Sequence, residues 1–174
     1  MLELGAAEQL VGALGERPQP STEHFENSIA AALAGGDPQR PVWIEDESRT
    51  IGACSIPGGL WEQMRIARVL AIDIPLPRRV ASLVALYGEY PREELAHCMT
   101  KIAERLGGTR TREAVAAIES GDYARAAAIS LEYYDKAYMH GQSKRPEGTV
   151  SWISFNDEEP EAIADALIRY CAGW

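Results

Sequence analysis

The chain has 174 residues, 46% of them hydrophobic and 25% charged, with a formal net charge of -9, the composition of one ordinary globular domain large enough to bury a core. No apolar run approaches the roughly 20 residues of a membrane span, and the N-terminal stretch MLELGAAEQLVGALG lacks the basic flank of a signal peptide, so the cytoplasm is the expected compartment. The acidic balance excludes a general nucleic-acid-binding surface, but residues 1–88 carry 7 basic and 11 acidic side chains, 89–145 carry 9 and 9, and 146–174 carry 1 and 6, so any polyanion has to meet the middle third.

In chain order, a helix is expected from Ser21 or Thr22, where a hydroxyl can cap it, with Phe25, Ile29, Ala32 and Leu33 as its apolar stripe and AGGDPQRP as its stop. Val42, Trp43 and Ile44 favour a pleated surface and predict a strand over 42–45. A short helix follows around Leu60 to Ile66, with Leu60 and Met64 on one face. RVLAIDIP, Arg68 to Pro75, is a nearly continuous apolar run, which predicts a strand covered on both faces.

Pro77 suits the first turn of a helix that turns Val80, Leu83, Val84 and Tyr87 to one side. Pro91 opens another, with Leu95, Cys98, Met99, Ile102 and Leu106 inward and Gly107 and Gly108 at its end. TREAVAAIESGDYARAAAISLEYYDKAY reads as two helices broken at Ser120 to Asp122. TVSWISF is a last strand, and NDEEPEAIADALIRYC a helix with acids at its positive end. Strands alternating with helices predict an α/β fold in which 42–45, 69–74 and 150–155 neighbour one another in one parallel sheet, with an α-helical C-terminal half.

Cys54, Cys98 and Cys171 form no CxxC pair and read as free thiols, and His24, His97 and His140 show no ligand spacing. Phosphate-binding loops need GxxxxGK[ST], whose amides cradle phosphates while the lysine meets the outer ones. GALGERPQP and AGGDPQRP have glycines but neither the lysine nor the hydroxyl.

Three stretches carry candidate chemistry. PVWIEDESRTIG sets Glu45, Asp46, Glu47, Ser48 and Arg49 at the end of the first expected strand, where ligands of open α/β sheets bind. Acids there can hold a hydrated Mg²⁺ or orient a nucleophile, and Arg49 can meet a phosphate; a solvated loop with local ion pairs is the plainer reading. RLGGTRTR surrounds a glycine turn with Lys101, Arg105, Arg110 and Arg112 against Glu104 alone, a local charge of +3 that Lys144 and Arg145 extend. Its amides and cations suit phosphate contact, although Arg105 also suits a helix C-terminus. LEYYDKAYMHG puts Tyr134 and Tyr138 one helical turn apart, either to stack on bases or line a pocket, or to fill a core with hydroxyls outward.

PVWIEDESRTIG, SIPGGLWEQM, RLGGTRTREAVAAIESGDYARAA and YYDKAY, in that order, resemble the C-terminal P-loop domain of tRNA 2-selenouridine synthases, from RPQPSTEHFEN to the end of the chain. The resemblance implies a P-loop NTPase-like parallel sheet with flanking helices, truncated at its N-terminus: residues 1–20 a remnant, and 21–174 one domain lacking the phosphate-binding loop. It implies sulfur-to-selenium exchange at a tRNA wobble uridine through a geranylated intermediate, with selenophosphate and geranyl diphosphate serving the complete enzyme and no cofactor resident in this chain.

Asp46 or Glu47 then takes the Walker B position, with Arg78 after the later strand. The family's rhodanese-like domain and its reactive cysteine have no counterpart here, so none of the three cysteines inherits that role, and the domain would come from a longer or separate chain. The chain alone is expected to be a tRNA-binding or scaffold portion without selenium transfer or NTP hydrolysis. Two other functions stay open: a stand-alone small-molecule kinase-like enzyme using Asp46 and Arg78, and a non-catalytic interaction module.

Overall fold

A computed structural model describes residues 20–46 and 48–172. The chain divides into two compact units, Met1–Ala67 and Arg68–Trp174. The expected weak anchoring of the first 15 to 20 residues falls, save for residue 20, outside the described residues.

In the first unit, helix α1 spans Thr22–Ala34. Ser21 caps it as its sequence suggests, with Oγ accepting from the His24 amide at 3.2 Å, and Gly35 closes it by donating to the Ala31 carbonyl. Of its apolar stripe, Ile29 is buried and Phe25 half-buried, whereas Ala32 and Leu33 are exposed. The expected strand at 42–45 is not found: Ile44 makes a single bridge, with no ladder on either side. Pro41 removes one backbone donor, and Val42 and Trp43 stay exposed, so no apolar face is buried to fix a register.

The chain pairs instead in a hairpin where the sequence predicts a loop, β1 Thr50–Ile51 against β2 Cys54–Ser55, antiparallel. A positive φ of 59° at Gly52, and at no described non-glycine residue, suits a type II′ turn through Gly52 and Ala53. Helix α2 spans Gly58–Ile66, and Arg65 lies over the Trp61 ring at 5.6 Å. Ile29, Cys54, Ile56 and Met64 form the unit's core.

The second unit begins with β3, Val69–Asp73, which pairs in parallel with β4, Val150–Ser154, in the register Val69 with Val150 through Asp73 with Ser154. The described sheet has these two strands alone, and the expectation of full cover on both faces is corrected: Ala71 is buried, but Ile72 and Trp152 are 43% and 52% exposed. With only two strands, the apolar run cannot be enclosed as it would be at the centre of a wide sheet.

Between the strands run α3 Leu76–Tyr87, α4 Arg92–Lys101, α5 Ala103–Leu106, α6 Gly108–Ser120 and α7 Tyr123–Gln142; α8, Pro160–Cys171, follows β4. Prolines at or beside the first turn of α3, α4 and α8 mark their starts, where a missing N–H costs nothing. The helix expected to run from Pro91 to Gly107 is instead broken at Ile102, whose φ and ψ of -99° and 9° leave the helical region. That break turns Leu106 into a cluster with Ala114 and Ile129, against which Met99, Ile102 and Tyr133 pack. Gly121, at φ 83°, closes α6 in the left-handed region, and the Asp122 side chain caps α7 by accepting from the Arg125 amide.

Candidate functional site

The carboxyl ends of β3 and β4 gather charge from three elements. Asp73 ends β3 and its Oδ2 accepts from Ser154 Oγ at 3.4 Å at the end of β4. From the first turns of α3, Arg78 donates to the Asn156 carbonyl at 3.1 Å and to the Glu158 carbonyl, fastening the loop after β4. Glu158 Oε2 accepts the amides of Asn156 and Asp157 at 2.7 and 3.1 Å, and amides of this loop hold its carboxyl below the usual range.

Arg79, the next residue, forks onto both oxygens of Asp135 in α7 at 2.6 and 2.9 Å. That hydrogen-bonded pair raises the Arg79 pKa against a smaller effect of burial, with the Asp73 charge adding to it. Sequence reasoning misses Arg79 and Asp135 and selects Arg78. The available signal is helical phase, since Arg79 lies four residues before Leu83 on the packed face and Arg78 four before the exposed Ser82.

The acidic loop belongs to the first unit. Glu45 is exposed, Asp46 half-buried, and Glu47 lies outside the described residues. Ser48 Oγ donates to the Thr50 carbonyl at 2.7 Å, and the Arg49 carbonyl accepts the Ile56 amide at 2.8 Å, so both residues brace the hairpin. Arg49 Nη2 lies 3.8 Å from where a Cβ on Gly58 would sit, at the first turn of α2. Arg78 stands in the second unit. Among the described residues no three His, Cys, Asp or Glu side chains gather as metal ligands, and no helix is long and apolar enough to cross a membrane.

The basic turn is organised by the glycine at its centre. Gly107 takes φ 90°, and its carbonyl accepts both the Thr111 amide and the Thr111 hydroxyl, starting α6. Lys101, Arg105, Arg112 and Lys144 are exposed, and Arg112 donates to Thr109 Oγ1 at 3.4 Å. Arg110 differs, being ion-paired with Glu132 of α7, and this pairing holds the Glu132 carboxyl below its usual range. Arg145 is 8% exposed and so adds little to a surface patch. Tyr134 is half-buried, with its ring edge-on to Tyr133 at 5.3 Å, and Tyr138 is exposed. Cys54 and Cys98 are buried free thiols and Cys171 is half-buried.

A parallel strand pair linked by a helical excursion, with charged groups at its carboxyl end, defines the second unit as a mixed α/β structure. The chain belongs to the family described as the tRNA 2-selenouridine synthase AAA domain, whose model matches residues 11–167. Among curated relatives, the tRNA 2-selenouridine synthase of Hahella chejuensis is 31% identical over 168 residues, 78% of this chain and 44% of that protein. The synthase of Alcanivorax borkumensis is 30% identical over 179 residues, 84% of this chain and 49% of that protein. That of Marinobacter nauticus is 29% identical over 169 residues, 76% and 44%. The chain thus spans about half the length of the curated relatives it matches. No solved structure matches it significantly.

Proposed function

We propose that this chain is the tRNA-binding and scaffolding portion of a cytoplasmic tRNA 2-selenouridine synthase, working with a rhodanese domain in sulfur-to-selenium exchange at the wobble uridine. The observation that carries the reading is the family match over residues 11–167, joined to four exposed cations, Lys101, Arg105, Arg112 and Lys144, in an otherwise acidic chain. In this reading 21–174 is one P-loop-like domain, and β3 and β4 are part of its sheet.

Selenophosphate and geranyl diphosphate are substrates of the complete enzyme. Asp46, half-buried two residues after Ile44, is the carboxylate this reading assigns to a Mg²⁺ carried by a phosphate ligand. The described residues alone do not form a metal cage. Tyr134 and Tyr138 remain the candidates for stacking or for the wall of a prenyl pocket.

Binding of an unmodified tRNA transcript across a salt series tests the reading. Removing one cation from the phosphate backbone flattens log K against log salt by roughly 0.7 to 0.9. Replacing Lys101, Arg105 and Arg112 with alanine is expected to weaken binding and flatten the slope by about 2 to 3, whereas Glu159→Gln with Glu161→Gln does not flatten it. Equal affinity and equal slope for the wild type and the triple variant would remove the basic turn as the contact surface.

A further inference from the structure

Helices α6 and α7 are joined by two ion pairs of opposite sense. Arg110 of α6 reaches Glu132 of α7, and Glu113, three residues further along α6, receives Arg125, earlier in α7. The descending partner numbers are those of an antiparallel helix hairpin, so the pairs form two rungs along one seam. Arg125 belongs wholly to this seam: its Nε and Nη2 both meet Glu113 Oε1.

The Arg110 rung is different in position. Arg110 sits in the first turn of α6, between Gly107 and the exposed Arg112, and so borders the cations proposed to meet phosphate. Both members of the pair are partly open, with side-chain accessibilities of 43% for Arg110 and 46% for Glu132.

We propose that Glu132 acts as an electrostatic gate on the basic turn, holding Arg110 out of phosphate contact and so limiting how strongly the turn grips tRNA. The proposal rests on the tRNA-binding reading above and deepens it, since it names the residue that sets the strength of that site. A carboxylate and a phosphate compete for the same guanidinium fork. The carboxylate is tethered within the same helix hairpin, which gives it a high effective concentration against a ligand arriving from solution. Glu132 is also kept charged, because Arg110 first, and Lys136 and Arg125 less strongly, lower its pKa.

Lys101, Arg105 and Arg112 have no carboxylate partner among the described residues and remain available. The wild-type turn therefore meets phosphate through these three, with Arg110 held back. A turn whose affinity is limited in this way releases a large polyanion more readily, since changes in affinity within one interface fall mostly on the off-rate.

The test is a double-mutant cycle on the full chain, with Glu132→Gln, Arg110→Ala and both together, measured by anisotropy of a labelled unmodified tRNA transcript at several salt concentrations. Glu132→Gln is expected to tighten binding several-fold at low salt and to steepen the slope by one phosphate, roughly 0.7 to 0.9. Arg110→Ala alone is expected to match the wild type in slope, and the double variant to match Arg110→Ala. Glu132→Ala provides a second removal of the acid, with circular dichroism confirming that α7 is retained.

If Glu132→Gln tightens binding equally in the Arg110→Ala background, the acid acts only through general charge and the gate is wrong. The gate is equally wrong if Arg110→Ala alone flattens the slope by a whole phosphate, since Arg110 would then already be on the tRNA. Should the Lys101, Arg105 and Arg112 triple variant bind with wild-type affinity and slope, the tRNA-binding reading falls first and the gate with it.

Discussion

Asp135→Asn is the most informative single change for the second unit, because it removes the charge from the fork that joins α3 to α7 and leaves the side-chain volume almost unaltered. Arg79 Nε is buried without a hydrogen-bond partner among the described residues, and its guanidinium is neutralised by Asp135, with Asp73 a weaker second charge. Exposed ion pairs contribute about 0 to 1 kcal/mol, and breaking a fully buried one costs about 3 to 5 kcal/mol. The side chains here keep 30% and 46% of their accessibility, so solvent screening places the cost toward the lower end, at about 1 to 2 kcal/mol. For a chain of this size that lowers the melting temperature by roughly 2 to 8 °C.

Urea titration followed by far-UV circular dichroism reports chiefly on the helices of this unit. A cycle with Arg79→Met isolates the pair from the effect of each substitution alone. The expected coupling is about 1 kcal/mol, most of it retained at roughly 0.5 M salt because the pair is partly shielded from solvent. Coupling below about 0.3 kcal/mol would show that apolar contact alone holds α3 against α7 and that the fork adds nothing.

Gly121→Ala is expected to destabilise by about 1 to 2 kcal/mol, because φ at this position is 83° and a Cβ strains the left-handed region; Gly121→Asn should cost less in the same urea titration. Ile118→Ala, at a side chain 2% exposed, should cost about 2 to 4 kcal/mol, against under about 0.5 kcal/mol for the exposed Ile168→Ala. Glu158 has a folded pKa lowered by loop amides, so its stabilising effect is complete above the ordinary glutamate range, about 4.3, and disappears as pH falls through the lower folded value. Urea midpoints measured at pH 6, 4 and 3 should therefore fall less steeply for Glu158→Gln than for the wild type; parallel curves would show that the carboxylate does not support the turn.

What was legible in the sequence was local chemistry. Ser21, Pro77, Pro91, Gly121 and Asp122 each mark a helix boundary through a property of one residue, and the structure places boundaries at all five. Strands β3 and β4 were legible because each is an apolar run bounded by turn residues. The β1 and β2 hairpin was not, since each strand has two residues and Gly52-Ala53 is a weaker turn signal than Asn-Gly. The segment 42–45 misleads because its residues favour strands, whereas propensity supplies no partner strand, and among the described residues the segment forms only the single bridge at Ile44.

Ion pairs across helices were the hardest to read, and they change what the charge count means. The turn from Lys101 to Arg112 has a local charge of +3 when only its own residues are counted, but Glu132 of α7 is paired with Arg110 and neutralises one of those cations. Elsewhere in the helical region, Arg125 is taken by Glu113, Arg92 is fastened to Tyr123 and the Glu119 carbonyl, and Arg145 is buried. Packing helices against one another has thus used much of the basic residue supply of the middle third. Lys101, Arg105, Arg112 and Lys144 are exposed, and on the proposed tRNA-binding reading four phosphate contacts through them would give a salt slope of roughly 3 to 4. A steeper slope would require further cations, and Lys136 on α7 and Arg169 on α8 are exposed on the same unit.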